Sequence, residues 1–301
     1  MTIEAKSDLT VRKIPFEFPD DIDPQWIPNE PELSAMFNGG SVVMPYLEPF
    51  LIRTMREVLK QLDDSGLSAD AVSFMAQEGQ HFKTHRRFND LLKAKRYPEL
   101  AQVEEAMVKS YAKLAKKNLR TRLAYSAGFE AMTLGVTKWI IERRVKLFAG
   151  SDTRIASFIL WHMVEETEHK RVAYDLYTAV YPASLSSYWA RMIGVFHGSL
   201  DVIRFSMRSY KIILKKEKLW TQLSSRLRLA SQLTQFMAYV GPFLLRSALP
   251  GHNPRNEKDP QWVLDWLEGY AKFTTDHPPL VNTSDPDMPV PFGINQIKAA
   301  I

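Results

Sequence analysis

From about residue 31 to 273, apolar side chains recur at intervals of three and four, the period of an amphipathic helix, and no stretch alternates convincingly like a strand. Helix breakers divide the region. Asp63-Asp64-Ser65-Gly66 closes a first helix, and Ser68 can cap a second that runs to about Arg96, before Tyr97-Pro98. A third helical region runs from about Pro98 to Phe148, with a break expected near Asn118. Gly150-Ser151-Asp152 then caps a fourth, which ends near Tyr181-Pro182. Two more long helices are predicted over about 184–216 and 220–248, and a shorter one over about 260–273. Residues 1–30, rich in Pro and Asp without a period, read as an extended arm, and the tail 274–301 as irregular. The expectation is one all-α domain over 31–273. Its core would be four long helices up to about residue 182, covered by the helices of 184–273.

Charged residues interrupt this pattern where a core-facing helix should be apolar. Glu48 is the only charge in VVMPYLEPFLI, and Glu130 the only one in LAYSAGFEAMTLGV. An inward carboxylate is costly unless it is paired or bound to a metal. For Glu48, flanked by Pro45 and Pro49, the plainer alternative is a first-turn glutamate that complements the helix dipole. Glu-x-x-His occurs twice, as Glu78-Gly-Gln-His81 and Glu166-Thr-Glu-His169. Residues three apart on a helix share a face and can grip one ion. One copy means little in a chain with seven histidines, but these fall on the second and fourth predicted helices. Bundles that hold two metal ions place Glu-x-x-His on two helices and a lone glutamate on each of the other two. Glu48, Glu78/His81, Glu130 and Glu166/His169 meet that demand in order.

Other polar residues share these faces. His162, Glu166 and His169 form one stripe, so His162 is either a third histidine ligand or a satisfied polar residue. His85, four after His81, is a ligand, a proton relay or a hydrogen-bond donor to a ligand. A metal-bound histidine needs an acceptor on its other nitrogen, and Glu165 is the first candidate, ahead of Asp175. Glu168 and Lys170 read as a solvated face, and His197 with Asp201 as a structural or channel-side pair.

Composition narrows the chemistry. There is no cysteine, which removes disulfides, zinc ribbons, iron–sulfur clusters and thiol catalysis. A metal must therefore be held by His, Asp and Glu, which suits iron, manganese or zinc. The net charge of +5 has no basic-aromatic motif beside it, so nucleic acid is not expected. No basic-then-apolar leader opens the chain, and the expected location is cytoplasmic. The predicted helices of 184–230 are apolar with recurring Arg and Lys. They are either core helices with a wet basic face or a contact for the inner membrane surface or an acidic acyl carrier.

The stretches WHMVEETEHKRVAYDLY and QEGQHFKTHRRFN, with the later LPGHNP, resemble the bacterial family labelled "predicted metal-dependent hydrolase", over about residues 30–255. The resemblance implies a ferritin-like metal-binding bundle and, by its label, hydrolysis. The stripe of His162, Glu166 and His169 is also similar to a helix of di-iron arylamine N-oxygenases, which carry an extra histidine ligand. That likeness implies Glu48, Glu78, His81, Glu130, His162, Glu166 and His169 as ligands. Two reactions follow as expectations. Two metal ions, iron first and manganese or zinc as alternatives, would serve dioxygen-dependent oxidation of a small organic or lipid-like substrate, with an electron-donor protein as partner. Alternatively they would activate a bridging water for hydrolysis, with Glu165 or His85 as proton acceptor. A non-catalytic metal-binding bundle is the third reading.

Overall fold

The structure, a computed structural model, describes residues 7, 9–272 and 277–292. The first six residues of the predicted arm, Asp8, and the tail beyond 292 lie outside the described residues. All regular structure among the described residues is helical, as the sequence period predicts.

The predicted first helix is two: α1 (Pro31–Ser41) and α2 (Met44–Val58). They part where Gly39-Gly40 meets Pro45, which has no N–H to continue the ladder. The second is α3 (Ser65–Lys95), which begins earlier than expected. Asp64, not Ser68, is its cap, its side chain accepting from Leu67 N at 2.9 Å. The third region divides into α4 (Ala101–Leu114), α5 (Leu119–Glu142) and the short α6 (Arg144–Phe148). Asn118 both breaks it and caps α5. The fourth starts at its Asp152 cap as α7 (Thr153–His169), turns at Lys170-Arg171 and resumes as α8 (Val172–Val180). Then come α9 (Leu185–Lys216), α10 (Leu223–Ala248) and α11 (Gln261–Lys272).

α5 is the axis of the molecule: 17 of its 24 residues are buried, and α2, α7, α8, α9 and α10 all pack on it. Its closest partner is α9, which meets it backbone to backbone. A Cβ on Gly128 would lie 2.2 Å from the Gly194 carbonyl, and one on Gly194 2.0 Å from Ala124 O. Only glycine permits that approach. The segment 9–30, irregular as predicted, is no loose arm: Leu9, Ile14, Phe16, Ile22, Trp26 and Ile27 are buried in the core. No described helix is long and apolar enough to cross a membrane.

Candidate metal centre

The polar residues that the sequence sets against apolar surroundings come together inside the bundle. Glu48 on α2, Glu78 and His81 on α3, Glu130 on α5, and His162, Glu166 and His169 on α7 are each at most 3% exposed. Glu48 sits inside the first turns of α2, between its two prolines. Pro49 lacks the N–H that would meet the Pro45 carbonyl, and Arg86 donates to that oxygen instead, at 3.4 Å. Two groups have nitrogen or oxygen atoms close enough to hold a metal ion, within 4.8 Å of one another: Glu78, His81, Glu166 and His169, and Glu48, His85 and His162. Glu130 belongs to neither, yet it feels the charges of Glu166 and Glu78.

The hydrogen bonds around each histidine fix which nitrogen carries the proton. His81 donates from Nε2 to Glu165 Oε2 at 2.8 Å, so its Nδ1 lone pair faces oxygens of Glu78 and Glu166, each at 3.9 Å. Gln77 donates from its amide nitrogen to Thr10 O and Glu168 Oε2, which turns its oxygen toward His169. His169 therefore donates from Nε2 to that oxygen at 3.0 Å, and its Nδ1 faces Glu78 and Glu166 at 3.2 and 3.4 Å.

His162 needs a longer chain of reasoning. The Ser41 carbonyl accepts from the Asn89 amide nitrogen at 2.9 Å, which aims the Asn89 oxygen at the Ser41 hydroxyl. Ser41 donates to it at 2.7 Å and must accept from His85 Nδ1 at 2.8 Å. Burial and the neighbouring His162 and His81 hold His85 well below the ordinary histidine value, so the ring is neutral and Nε2 can only accept. His162 Nδ1 then donates to it at 2.8 Å. This leaves His162 Nε2 facing Glu166 Oε1 at 2.8 Å and Glu48 Oε1 at 3.7 Å. With both of its nitrogens engaged, His85 orients His162 and does not itself offer a ligand atom.

Lone pairs of imidazole and carboxylate repel at such distances unless a metal ion or a proton stands between them. Both oxygens of Glu48, Glu78 and Glu130, Glu166 Oε2, and Nδ1 of His81 and His169 are buried without a hydrogen-bond donor. Four carboxylates match the charge of two divalent ions, and the residues present fit such a pair. Without it, titration is distorted in the sense expected of crowded buried acids. Burial first, then the other carboxylates, raises Glu48 and Glu130 well above the usual range. Glu78 is raised less, because His169 opposes its burial. Burial would raise Glu166 too, but His169 and His162 hold it well below that range. Burial would lower His169, but Glu166 and Glu78 raise it well above its ordinary value. His81 is lowered by burial and by His162.

Several supporting residues carry no motif or period in the sequence. Arg12, 4% exposed, donates to Glu165 Oε1 at 3.1 Å and to Glu168 at 2.7 Å. Burial raises Glu165 to about 7, against the pull of Arg12. Glu168 is thus no solvated residue but part of this network, and Lys170 pairs with Asp259 at 2.7 Å. Glu165 has the expected orienting position. Asp175 is away from the site, paired with Arg255. Gln77, Ser41 and Asn89 were not foreseen, although Asn89 lies four residues after His85 on the same face. His197 and Asp201 lie 3.5 Å apart on α9, with His197 against Tyr125.

A cavity of about 220 Å³ runs outward from His85, His162 and Glu166, between α1, α5, α9 and α10. Its walls are Met, Phe, Ile and Val side chains. The hydroxyls of Ser41 and Thr133 that reach it already donate, to Asn89 and to Phe129 O.

The family model described as "Predicted metal-dependent hydrolase" matches residues 10–258, so the chain belongs to that family. The match spans every residue of the centre, including Arg12. No curated protein and no solved structure matches the chain.

Proposed function

We propose that this member of the family holds two metal ions, with iron favoured over manganese or zinc, and uses them with dioxygen to oxidise an apolar organic substrate. The observation that carries this reading is the union of a carboxylate-rich, three-imidazole donor set with a cavity whose walls are apolar. The ligands would be Glu48, Glu78, His81, Glu130, His162, Glu166 and His169. When bound, two iron ions would supply the electrons and the site at which dioxygen is reduced.

The chain's own residues do the rest. Glu165 and Gln77 orient His81 and His169, and His85 orients His162. Glu165, raised to about 7 by burial, can take up or release a proton, while its Oε2 accepts from His81 Nε2 at 2.8 Å. The apolar walls keep water from competing with the substrate. Placing one oxygen atom of O₂ into a C–H bond and the other into water takes two electrons, which an electron-donor protein would pass to the metal ions, and two protons, which solvent would supply.

The family description supports a second reading, hydrolysis by a metal-activated water with Glu165 as proton acceptor. Anaerobic reconstitution separates the two. The oxidative reading expects about two irons per chain and an oxygen-dependent absorbance change. A zinc form that cleaves esters, beside an iron form that takes up no oxygen, overturns it in favour of hydrolysis.

A further inference from the structure

Ten of the fourteen large hydrophobic side chains exposed among the described residues lie on α9, α10 and the residue that ends α10. On α9 they are Leu185, Trp189, Ile193, Phe196 and Leu200, 38–73% exposed. Steps of four, four, three and four put them on one stripe of the helix. The same stripe continues, by steps of three and four, to Ile203 and Met207, which line the cavity of the metal centre. One face of one helix is therefore bare at one end and wall of the cavity at the other. α10 repeats the design. Leu223, Leu227 and Leu245 are at least 62% exposed, and Met237, 47% exposed, belongs to the cavity wall. No charged residue occurs from Leu229 to Leu245.

Charge is concentrated around this apolar surface. Residues 184–230 hold nine Lys and Arg against two Asp and Glu, an excess of seven, larger than the +5 of the whole chain. Arg204, Arg208, Lys211, Lys215 and Arg226 are exposed. An apolar stripe with an aromatic member and a basic border lies in the interface of an anionic bilayer, apolar side toward the acyl chains. The bare stripe from Leu185 to Leu200 is on the order of 22 Å long at 1.5 Å per residue, a span suited to a flat surface.

We propose that the outer face of α9 and α10 docks on an anionic lipid bilayer, and that the cavity between them admits the apolar chain of a membrane-borne amphiphile to the metal centre. The docking face stands on exposure and charge alone. The route for the chain rests on the functional reading above, whose substrate class it narrows from apolar molecules to chain-bearing lipids.

The test is sedimentation of the full-length protein, metal-free and metal-loaded, with vesicles of phosphatidylcholine alone or mixed with phosphatidylglycerol. Binding is expected in both metal states, stronger on the mixed vesicles and weakened by salt. The variant W189E/I193E, remote from the metal ligands, is expected to lose at least about tenfold in binding while keeping its metal. The second arm is uptake of palmitate as the probe chain. M207W is expected to block uptake and leave vesicle binding and metal content unchanged. Failure to bind mixed vesicles, or equal binding by W189E/I193E, overturns the docking face. So does a stable dimer that this variant converts to monomers, since a second copy would then cover the stripe. Uptake only from an acyl-carrier thioester, without vesicle binding, overturns it as well. Palmitate uptake unaffected by M207W overturns the route. Because vesicle binding is read without metal, a failure of the metal reading leaves the docking result intact.

Discussion

The two Glu-x-x-His segments are built alike and supported differently. In Gln77-Glu78-Gly-Gln-His81 and Glu165-Glu166-Thr-Glu-His169, the residue before the glutamate orients the histidine of the other helix. Glu165 receives His81, and Gln77 receives His169. The exchange is reciprocal because α3 and α7 face each other across the site, so the residue beside each ligand reaches the far side of the opposite ring. The acceptors differ in charge. Glu165 is a carboxylate backed by Arg12, whereas Gln77 is a neutral amide held by Thr10 O and Glu168. A carboxylate acceptor makes a ligating imidazole more basic than an amide does. With metal bound, His81 would thus be the stronger donor of the pair, the reverse of the metal-free order, in which Glu166 and Glu78 raise His169 and burial lowers His81. The two halves of the centre are electronically unequal. α7 adds His162, which α3 answers only with His85 as its orienting partner.

The largest effect should come from removing what the halves share. Glu166 lies within 4 Å of His81, His162 and His169. Glu166→Ala is therefore expected to reduce metal content from about two ions per chain to near none, measured by elemental analysis after dialysis. Retention of one ion would mean that the halves bind independently.

Swapping the orienting groups gives the next effect. Loss of such a partner lowers metal affinity by about 10–100-fold. Glu165→Gln, which makes the two halves alike, is expected near the upper end of that range, because it also removes the charge opposite Arg12. Gln77→Leu is expected near the lower end. Competition with a chelator reads both, and equal losses would remove the inequality of the halves.

The smallest effect is the pH dependence of the metal-free protein. Glu48, Glu78 and Glu130 titrate above their ordinary value of 4.5 in the fold, and His169 above 6.5. Each favours the protonated form in the native state, so its stabilisation is lost as pH rises toward the folded value. Glu166, His81 and His85 are lowered, and they act only as pH falls below about 4.5 and 6.5, their unfolded values. From pH 6.5 to 9 the melting temperature of the metal-free protein is thus expected to fall, and a saturating divalent metal should flatten the slope. A rising melting temperature over that range would contradict the assignment of these groups.

The candidate centre was unusually legible in the sequence because its donors are spaced along single helices. Glu78 with His81, and His162 with Glu166 and His169, follow from helical period alone, and Glu48 and Glu130 stand out as lone charges in apolar runs. Helix ends were less legible. Asp64 competes with Ser68 for the same start, and Gly39-Gly40 before Pro45 breaks a helix that apolar period would continue. Arg12 was not legible at all, since its segment has no period to place it against residues 153 and 156 positions away.

By itself, then, the sequence determined the helical class and the candidate donor set, because both depend on spacing within one helix. The tertiary structure decided which nitrogen of each histidine faces the site, since that depends on an acceptor contributed by another helix or by the arm. It also decided how closely α9 lies on α5, through the contact of Gly128 with Gly194, and so which face of α9 was left bare. Those are matters of register between elements far apart in the chain, and no local period encodes them.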